Sequence, residues 1–373
     1  MRSLEQLIEI SRYFGENPDF VIAGGGNTSY KDSGTIWIKA SGIPLAGIKQ
    51  DGFVSLSREK LSLIGTTSFS LDPAIREQQV QAHMKEAVIF PKHLRPSVET
   101  SLHNLIDYKY VVHTHPTRVN GLLCSRDVFT EVKKRFGQLA LMVEYTDPGY
   151  VLFKKMEERI ADYKAAAGSQ PQIIFLQNHG VFVSADNLNE IKWLYREIDE
   201  RIGEGRDLSV PPSEPRPYLW PAWESLADLV NSRSLVSMTV TCDLIRHFTA
   251  DQEHYHKVSR PFSPDIIVYC KSNYLFLKGG VRPGEIQDRI KQFEQDHGHF
   301  PRVILQEGGG LTAVEENEKS LHTVLDVYMD LMKISYLSEQ FGGPHFMTPD
   351  QVGFIDNWEV EHYRRKIAKS DPG

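Results

Sequence analysis

The sequence predicts an α/β protein with two domains, and three observations support that prediction. β-prone runs are mixed with amphipathic helical stretches, which favours layers of helices and sheet over a helix bundle. The chain has 373 residues, enough for two cores of ordinary size. Five prolines lie within residues 210–221 and exclude a helix or a central strand there. We therefore expect a first domain at residues 1–209, a linker at 210–221 and a second domain at 222–373 that ends in a helical tail.

The elements of the first domain follow in order from the periodicity of apolar residues. Residues 3–14 place leucine and isoleucine at roughly helical spacing and predict an amphipathic helix. Pro96 and Ser97 open a second helix that runs to Tyr108. The other expected elements are strands at Thr35–Gly42, Tyr110–His115, Ile173–Leu176 and Val181–Val183, and a helix at Leu188–Ile202.

Composition and charge exclude several classes of partner. The formal net charge is −7 and no long basic run occurs, so nucleic acid and anionic membranes are poor candidates. No window approaches about 18 uncharged apolar residues, the length that a membrane-spanning helix needs. The 3 cysteines are far apart and odd in number, which favours a reducing compartment over a disulfide framework. Because an acidic residue lies near the start, where a signal peptide is apolar, we expect a cytoplasmic protein.

Two histidines separated by one residue, His113 and His115, are the strongest chemical feature of the chain. They follow a β-prone run at residues 110–112, and Pro116 ends the strand. On a strand, residues i and i+2 point to the same face, so the two imidazoles converge with Cα atoms about 7 Å apart. Such a pair can share one metal ion with a third ligand, although His-x-His pairs also occur by chance.

His179 is the natural third ligand of this metal ion. It lies in a tight Asn178-His179-Gly180 turn between two apolar strands, where Gly180 can allow a backbone twist. Three neutral imidazoles leave a coordination position open for water or substrate, as expected of a catalytic zinc site. The alternative is a turn histidine that caps a carbonyl group.

Glu99 and His103 lie on the expected helix that Ser97 caps. A carboxylate in the first turn of a helix is favourable on structural grounds alone, and the same place suits a general base near a metal-binding strand. His103 lies one turn further along the same face, and we interpret it as a packing or hydrogen-bonding residue.

The glycine run at residues 24–26 is a candidate anion site. Glycines let backbone N–H groups approach an anion, and Asn27, Thr28 and Ser29 add side-chain donors. The run matches neither P-loop nor dinucleotide-binding spacing, and a glycine-rich hairpin turn is the alternative interpretation.

Segments in the second half of the chain resemble segments in the first half. Residues 171–181 can be aligned with residues 301–311, and a short strand and a long helix follow in both places. Gly309 then stands where the first copy has His179, and no His-x-His pair occurs. Residues 263–269 resemble the strand that bears the histidine pair. We interpret this as an internal duplication, although regular alternation of strands and helices produces similar patterns.

Five short motifs, in order along the chain, resemble the class II aldolase/adducin family. They are Gly26-Asn27-Thr28-Ser29, Ala40-Ser41-Gly42, Pro96-Ser97-Val98-Glu99, His113-Thr114-His115-Pro116 and Asn178-His179-Gly180. They cover roughly residues 1–205, where the chain resembles L-fuculose-phosphate and rhamnulose-phosphate aldolase-type proteins. Some proteins of the second type carry a fused dehydrogenase domain, which we do not expect in this chain. The resemblance implies a three-layer α/β/α sandwich around a mainly antiparallel sheet, followed here by a degenerate domain of the same type.

The resemblance also implies roles for individual residues. The acid/base residue is Glu99, and the ligands of Zn²⁺ or another divalent metal are His113, His115 and His179. The phosphate-binding residues of the substrate site are Asn27, Thr28, Ser41, Gly42 and Ser97. Val98 stands where sugar-phosphate aldolases often have a second serine. A catalytic tyrosine that a neighbouring subunit contributes maps onto Tyr145, so a homo-oligomer is implied.

We therefore expect a zinc-dependent aldolase that cleaves a small-molecule sugar phosphate, such as a ketose 1-phosphate. The products are dihydroxyacetone phosphate and an aldehyde, and the metal delocalises the carbanion charge as an enediolate. Two alternatives stay open. One is a dehydratase or epimerase on the same scaffold, and the other is a non-catalytic interaction module like the adducins. Retention of the three histidines and Glu99 argues against the module.

Overall fold

The computed structural model describes residues 2–219 and 223–357, and the chain divides into two compact units. The first unit comprises Met1–Leu123 and Asp127–Arg206, and the second comprises Cys124–Arg126 and the chain from Asp207 onward. The change of unit after Arg206 lies close to the limit expected at residue 209. The tail beyond residue 357 lies outside the described residues. Within the described ranges, no helix combines the length and the apolar character that crossing a membrane requires.

The first unit is built on a mixed sheet of eight strands. These are β1 (Asn27–Lys31), β2 (Thr35–Lys39), β3 (Phe53–Ser57), β4 (Val88–Phe90), β5 (Tyr110–Thr114), β6 (Ala140–Val143), β7 (Ile173–Leu176) and β8 (Gly180–Ala185). Their order across the sheet is β4-β3-β2-β1-β5-β8-β7-β6. Neighbouring strands are antiparallel except for the parallel pair β6 and β7. The mainly antiparallel sheet confirms the expected fold class.

Helices cover both faces of this sheet. They are α1 (Arg2–Gly15), α2 (Arg58–Ser62), α3 (Pro73–Ala87), α4 (Thr100–Leu105), α5 (Thr117–Leu123), α6 (Val128–Phe136), α7 (Tyr150–Ala167) and α8 (Leu188–Gly203). On one face, α2, α3, α4 and α7 enclose a continuous core with strand residues such as Ile38 and Val54. On the other face, α1 packs on β1 and α8 packs on β8. Both faces of the sheet are therefore buried, as in an α/β/α sandwich.

The second unit contains a smaller sheet of five strands. Its strands are β9 (Arg216–Pro217), β10 (Val236–Thr241), β11 (Leu275–Leu277), β12 (Val303–Gln306) and β13 (Leu311–Glu315). Its helices are α9 (Trp223–Asn231), α10 (Asp243–Thr249), α11 (Gln252–His256), α12 (Pro264–Cys270), α13 (Pro283–His297), α14 (Glu318–Ser338) and α15 (Pro349–Asn357). The strand order is β11-β12-β13-β10-β9. Only the pair β11 and β12 is parallel.

This second sheet has the strand pairing of part of the first. The series β6-β7-β8-β5-β1 and β11-β12-β13-β10-β9 have parallel and antiparallel pairs in the same places. β7 and β8 pair Ile173 with Val183, and β12 and β13 pair Val303 with Ala313. The separation along the chain between Ile173 and Val303 equals the separation between Val183 and Ala313. The two sheets therefore agree in register as well as in order.

The turns of the two units agree in the same way. Asn187 caps α8 by accepting from the N–H of Glu190 at 2.9 Å, and Asn317 caps α14 by accepting from the N–H of Ser320 at 2.9 Å. These contacts support the alignment of residues 171–181 with residues 301–311.

One part of the expected duplication is wrong. Of residues 263–269, which we compared with the histidine-bearing strand, Ser263 precedes helix α12 and the rest lie in it. A short apolar run is compatible with strand or helix, and here Pro264 at the first helical position favours the helix. The counterpart of β5 is β10, which pairs Val240 with Leu311 where β5 pairs Thr114 with Val181.

The expected linker also contains structure. Arg216 and Pro217 form β9 at the edge of the second sheet. A proline is tolerated there because an edge strand needs fewer backbone donors. The end of the expected linker, residues 220–221, lies outside the described residues.

We expect the two asparagine caps to support their helices equally. Asn187→Ala and Asn317→Ala should each weaken the local helix by about 0.5–2 kcal/mol, because a first-turn N–H loses its acceptor. Replacement by aspartate keeps that acceptor and provides the matched control. Hydrogen exchange of the α8 and α14 amides reports on each unit separately. Unchanged exchange in α14 of the Asn317→Ala variant would contradict the proposed equivalence.

Candidate metal centre

Strand β5 and the residue that follows it present both histidines of the pair to one point. The Nε2 atoms of His113 and His115 lie 3.0 Å apart. The chain beyond β5 is held by a backbone hydrogen bond of 3.0 Å from the N–H of His115 to the carbonyl of Phe20. The two imidazoles therefore converge on one face of the sheet, as the alternation of side chains along a strand predicts.

The turn between β7 and β8 brings His179 to the same point. Ligand atoms of His113, His115 and His179 all lie within 4.8 Å of one another, the one such group of three among the described residues. The left-handed residue of this turn is Asn178, with φ of 55°, and not Gly180 as expected. Gly180 instead allows the backbone of the neighbouring strand to come close, because a Cβ atom at this position would lie 2.5 Å from the Thr114 carbonyl oxygen.

Glu99 completes the cluster. Its Oε1 atom lies 3.2 Å from Nε2 of His113 and 3.4 Å from Nε2 of His179. Glu99 was expected in the first turn of a helix over Pro96–Tyr108, but α4 begins only at Thr100. The reason is a local turn, in which the Ser97 hydroxyl accepts from the N–H of Glu99 at 3.2 Å. Glu99 is therefore the residue before the helix, and its side chain points at the histidines.

Alternate residues of β1 hold this segment in place. The side-chain amide of Asn27 donates to Oε2 of Glu99. The Ser29 hydroxyl lies 2.8 Å from Nδ1 of His103, and the buried ammonium group of Lys31 donates to the His103 carbonyl at 2.8 Å. His103 thus packs and bonds as expected. The contacts of Asn27 and Lys31 were missed, because they depend on which strand lies beside α4.

Burial controls the protonation of the cluster. It lowers the pKa of His113 to about 4 despite the nearby Glu99, so this imidazole is neutral at pH 7. Burial opposes the charge of Glu99, but the adjacent His113 and His179 outweigh it and hold the pKa of Glu99 well below its usual range. A buried carboxylate beside the neutral imidazole of His113 requires a positive partner.

The donor set therefore fits a divalent metal ion. Zinc binds imidazole nitrogen and carboxylate oxygen at about 2.0–2.2 Å, which requires neutral imidazoles close together. His113, His115 and His179 are the residues that would hold such an ion, with Glu99 beside them. The Nδ1 atom of His113 lies 3.1 Å from the Val181 carbonyl, which leaves Nε2 for the metal.

Two glycine-containing loops lie beside this cluster. The buried ammonium group of Lys39 donates to the carbonyls of Gly24 at 3.1 Å and Ile43 at 2.8 Å, and so joins both loops. A bridge between Ala40 and Pro96 adds the segment before Ser97. These contacts bring together most residues of the expected phosphate site, namely Asn27, Ser41, Gly42 and Ser97.

Thr28 does not share that surface. Its hydroxyl lies 2.6 Å from the Ser11 hydroxyl, on the face of the sheet that α1 covers. Because neighbouring strand residues point to opposite faces, Asn27 and Thr28 cannot both direct side chains at one ligand. The side chain of Thr28 therefore points away from the surface that carries Asn27.

Tyr145 lies in the loop after β6, at the edge of the sheet. Its N–H donates to the side chain of Gln177 at 3.0 Å, and its buried hydroxyl has no hydrogen-bond partner among the described residues. Burial and the nearby Asp147 raise the pKa of Tyr145. β6 lies three strand spacings from β5, about 14 Å. The described contacts do not join Tyr145 to Glu99 or the histidines of its own chain.

Comparison with known proteins agrees with the motifs. The family model described as "Class II Aldolase and Adducin N-terminal domain" matches residues 5–202, more than half of the chain. The chain therefore belongs to the class II aldolase and adducin family.

Individual relatives match the same half. "Uncharacterized oxidoreductase YuxG" of Bacillus subtilis (strain 168) is 28% identical over 189 residues, which cover 48% of this chain. The match spans 26% of that relative, about a quarter of its length.

Solved structures resemble part of the chain as well. The N-terminal class II aldolase domain of a conserved protein from Thermoplasma acidophilum has 24% identity and a TM-score of 0.45, covering 54% of this chain and 92% of that one. An L-fuculose 1-phosphate aldolase has 19% identity and a TM-score of 0.37, covering 56% and 90%. YgbL from Escherichia coli has 20% identity and a TM-score of 0.38, covering 59% and 94%.

We expect the purified chain to bind about one divalent ion, because three imidazoles converge at one point. A His113→Ala/His115→Ala variant should lose the ion, since a single remaining imidazole holds metal weakly. Elemental analysis measures the stoichiometry. The exposed His93 provides the control, and His93→Ala should keep the full metal content. A metal-free wild-type protein would exclude this centre.

Proposed function

We propose that the chain is a metal-dependent aldolase, a lyase that cleaves a sugar phosphate such as a ketose 1-phosphate. The proposed products are dihydroxyacetone phosphate and an aldehyde. The observation that carries the proposal is the convergence of three imidazoles with the Glu99 carboxylate. Zinc is the proposed ion because three imidazole nitrogens that leave a coordination position open suit it. Membership of the class II aldolase and adducin family supports this chemistry.

The residues around the centre suit both directions of the reaction. A bound divalent ion supplies a Lewis acid that stabilises negative charge next to a carbonyl group. In the aldol direction, Glu99 takes a proton from C3 of the three-carbon donor, and C3 then forms the bond to the aldehyde carbon. In cleavage that bond breaks, its electron pair returns to C3, and Glu99 gives the proton back. Asn27 orients Glu99 through the hydrogen bond to Oε2.

The two loops joined by Lys39 are the proposed phosphate site. These loops would bind the phosphate group, which is remote from the reacting bond. That binding supplies energy and orients the substrate. Asn27, Ser41, Gly42 and Ser97 are the residues we assign to it. Val98 offers no hydroxyl, so backbone N–H groups of the glycine loops carry a larger share of the contacts.

Tyr145 is proposed to serve the site of a neighbouring copy. Its phenol would give a proton to the aldehyde oxygen in the aldol direction and receive it back in cleavage. The raised pKa of Tyr145 keeps this proton in place at pH 7. The resemblance to fuculose-phosphate aldolase implies that a neighbouring chain contributes this tyrosine, so the active form is proposed to be a homo-oligomer.

The second unit is proposed to be a degenerate copy without a metal ion. Thr239 and Thr241 stand where the first unit has the histidine pair, by the equivalence of β10 with β5. The Thr241 hydroxyl donates to the carbonyl of Gly309 at 3.3 Å, and Gly309 stands where the first unit has His179. These hydroxyl and glycine groups are poor ligands for a divalent ion of the zinc type.

We further propose the cytoplasm as the location. Cys124, Cys242 and Cys270 are buried and free, which suits a reducing compartment.

Glu99→Gln should lower the rate of cleavage by about 10²–10⁴-fold, because loss of a general acid–base group costs that much. The assay measures release of dihydroxyacetone phosphate from a panel of ketose 1-phosphates and their unphosphorylated counterparts. The exposed Glu86 supplies the control, and Glu86→Gln should keep the wild-type rate. Full activity of Glu99→Gln would remove Glu99 from the mechanism. Loss of water without carbon–carbon cleavage would favour the dehydratase.

Mixing two inactive variants tests the proposed sharing of sites. Glu99→Gln lacks the acid–base group of its own site, and Tyr145→Phe lacks the phenol offered to a neighbour. Hybrid assemblies contain some sites with both groups, so activity should reappear after subunit exchange. The control is each variant exchanged with itself. Absence of any recovery in verified hybrids would contradict the role of Tyr145 in a neighbouring site.

A further inference from the structure

We propose that Phe182 is a positioning residue for the metal ligand His113. The inference rests on the proposed metal site and adds to it a residue that touches no metal. An imidazole can turn about its χ2 bond over a broad range, so a ligand ring needs contacts that hold its plane. Phe182 supplies such a contact.

The two rings are stacked across neighbouring strands. β5 and β8 pair His113 directly with Phe182. The ring centroids lie 4.0 Å apart and the ring planes differ by 18°. Both side chains are fully buried. Any tilt of the imidazole would therefore press against the phenyl face and move Nε2 away from the other ligands.

β8 restrains the same imidazole in a second way. The carbonyl of Val181, next to Phe182, lies 3.1 Å from Nδ1 of His113 and selects the ring nitrogen that faces the metal. The hydrogen bond fixes one point of the ring, and the stacked face fixes its plane. Together they direct Nε2 of His113 at its partners, 3.0 Å from His115 and 3.2 Å from Glu99.

Phe182 is itself held from its other side. His103 of α4 contacts it edge to face, with ring centroids 5.3 Å apart and an angle of 68°. His103 is fixed in turn by the Ser29 hydroxyl, 2.8 Å from its Nδ1 atom. The phenyl ring therefore cannot move away from His113 without displacing α4, the helix that follows Glu99.

The second unit provides an internal comparison. Its strands pair Thr239 with Thr312 at the positions of His113 and Phe182. The two hydroxyl groups lie 2.8 Å apart and bond to each other. The strand pair thus forms without an aromatic ring at this position, and the phenyl ring is absent where the imidazole is absent. The presence of Phe182 is therefore better explained by its contact with His113 than by packing within the sheet.

Phe182→Leu tests the inference, because leucine remains apolar but has no flat face. Metal-free full-length protein is titrated with Zn²⁺ in competition with a chromophoric chelator. We expect about 10–100-fold weaker binding, the usual effect of removing a group that orients a metal ligand. The d–d spectrum of the Co²⁺-loaded variant should also change, which a loss of stability alone would not produce.

Phe175 supplies the matched control. It is fully buried on β7 in the same unit, where its ring packs against Phe136 with centroids 4.9 Å apart. Phe175→Leu removes the same atoms from a core, and we expect it to keep the wild-type Zn²⁺ affinity and Co²⁺ spectrum. Should Phe182→Leu fail to fold, Phe182→Met retains an apolar, flexible side chain without a ring and is measured in its place.

The outcomes separate this inference from the proposed function. Equal weakening in both leucine variants, or wild-type affinity and spectrum in the Phe182 variant, would overturn the positioning role alone. A wild-type chain that binds neither Zn²⁺ nor Co²⁺ would overturn the proposed metal centre and this inference with it. Selective weakening at Phe182 with an altered Co²⁺ spectrum supports the assignment.

Discussion

The pairing of β5 with β1 on one side and β8 on the other is the constraint on which the candidate site depends. Asn27 lies opposite His113 across the first pair, and the turn that carries His179 leads into β8. Backbone hydrogen bonds join these pairs, and the alternation of core-facing residues along the strands sets their register. A slip of one residue would turn His113 to the face that α1 and α8 cover, and no other contact in the site would compensate for that change.

Burial then determines what this geometry can do. His113 and Glu99 are both removed from water. Burial keeps the imidazole of His113 neutral, whereas the adjacent histidines lower the pKa of Glu99 and so keep its carboxylate charged. The contacts of Asn27 and of β1 with α4 hold the carboxylate, since a buried charge without fixed partners is costly. A bound cation would balance the buried charge of Glu99 and would also accept the nitrogen lone pair of the neutral imidazole.

The second unit shows which features of the first unit recur without the candidate metal ligands. It keeps the strand order, the register and the helix caps of the first unit, and it keeps the close approach at Gly310, where a Cβ atom would lie 2.7 Å from the carbonyl of Val240. The imidazoles of His113 and His115 are replaced by the hydroxyl groups of Thr239 and Thr241, which bond to Thr312 and to the Gly309 carbonyl. Gly309 stands in place of His179. Packing and backbone pairing therefore maintain the fold without the histidines, which supports the proposed metal-binding role of the histidines in the first unit.

The sequence alone was sufficient for the local features. The spacing of His113 and His115, the turn around His179 and the amphipathic helix before β1 all follow from periodicities of a few residues, and five ordered motifs identified the family. Elements whose pattern is ambiguous were less predictable. The apolar run at residues 263–269 became a helix, and the helix expected from Pro96 began only at Thr100 because a turn at Ser97 competes with it.

The contacts between distant segments required the tertiary structure. Asn27 and Glu99, Thr28 and Ser11, and Phe182 and His103 are pairs that no local pattern marks, because strand order and register bring them together. Sequence periodicity shows which face a residue occupies on its own element. Which residues of other elements share that face depends on backbone pairing across the whole sheet, and therefore only the folded chain shows that the histidine pair, Glu99 and their supporting side chains form one site.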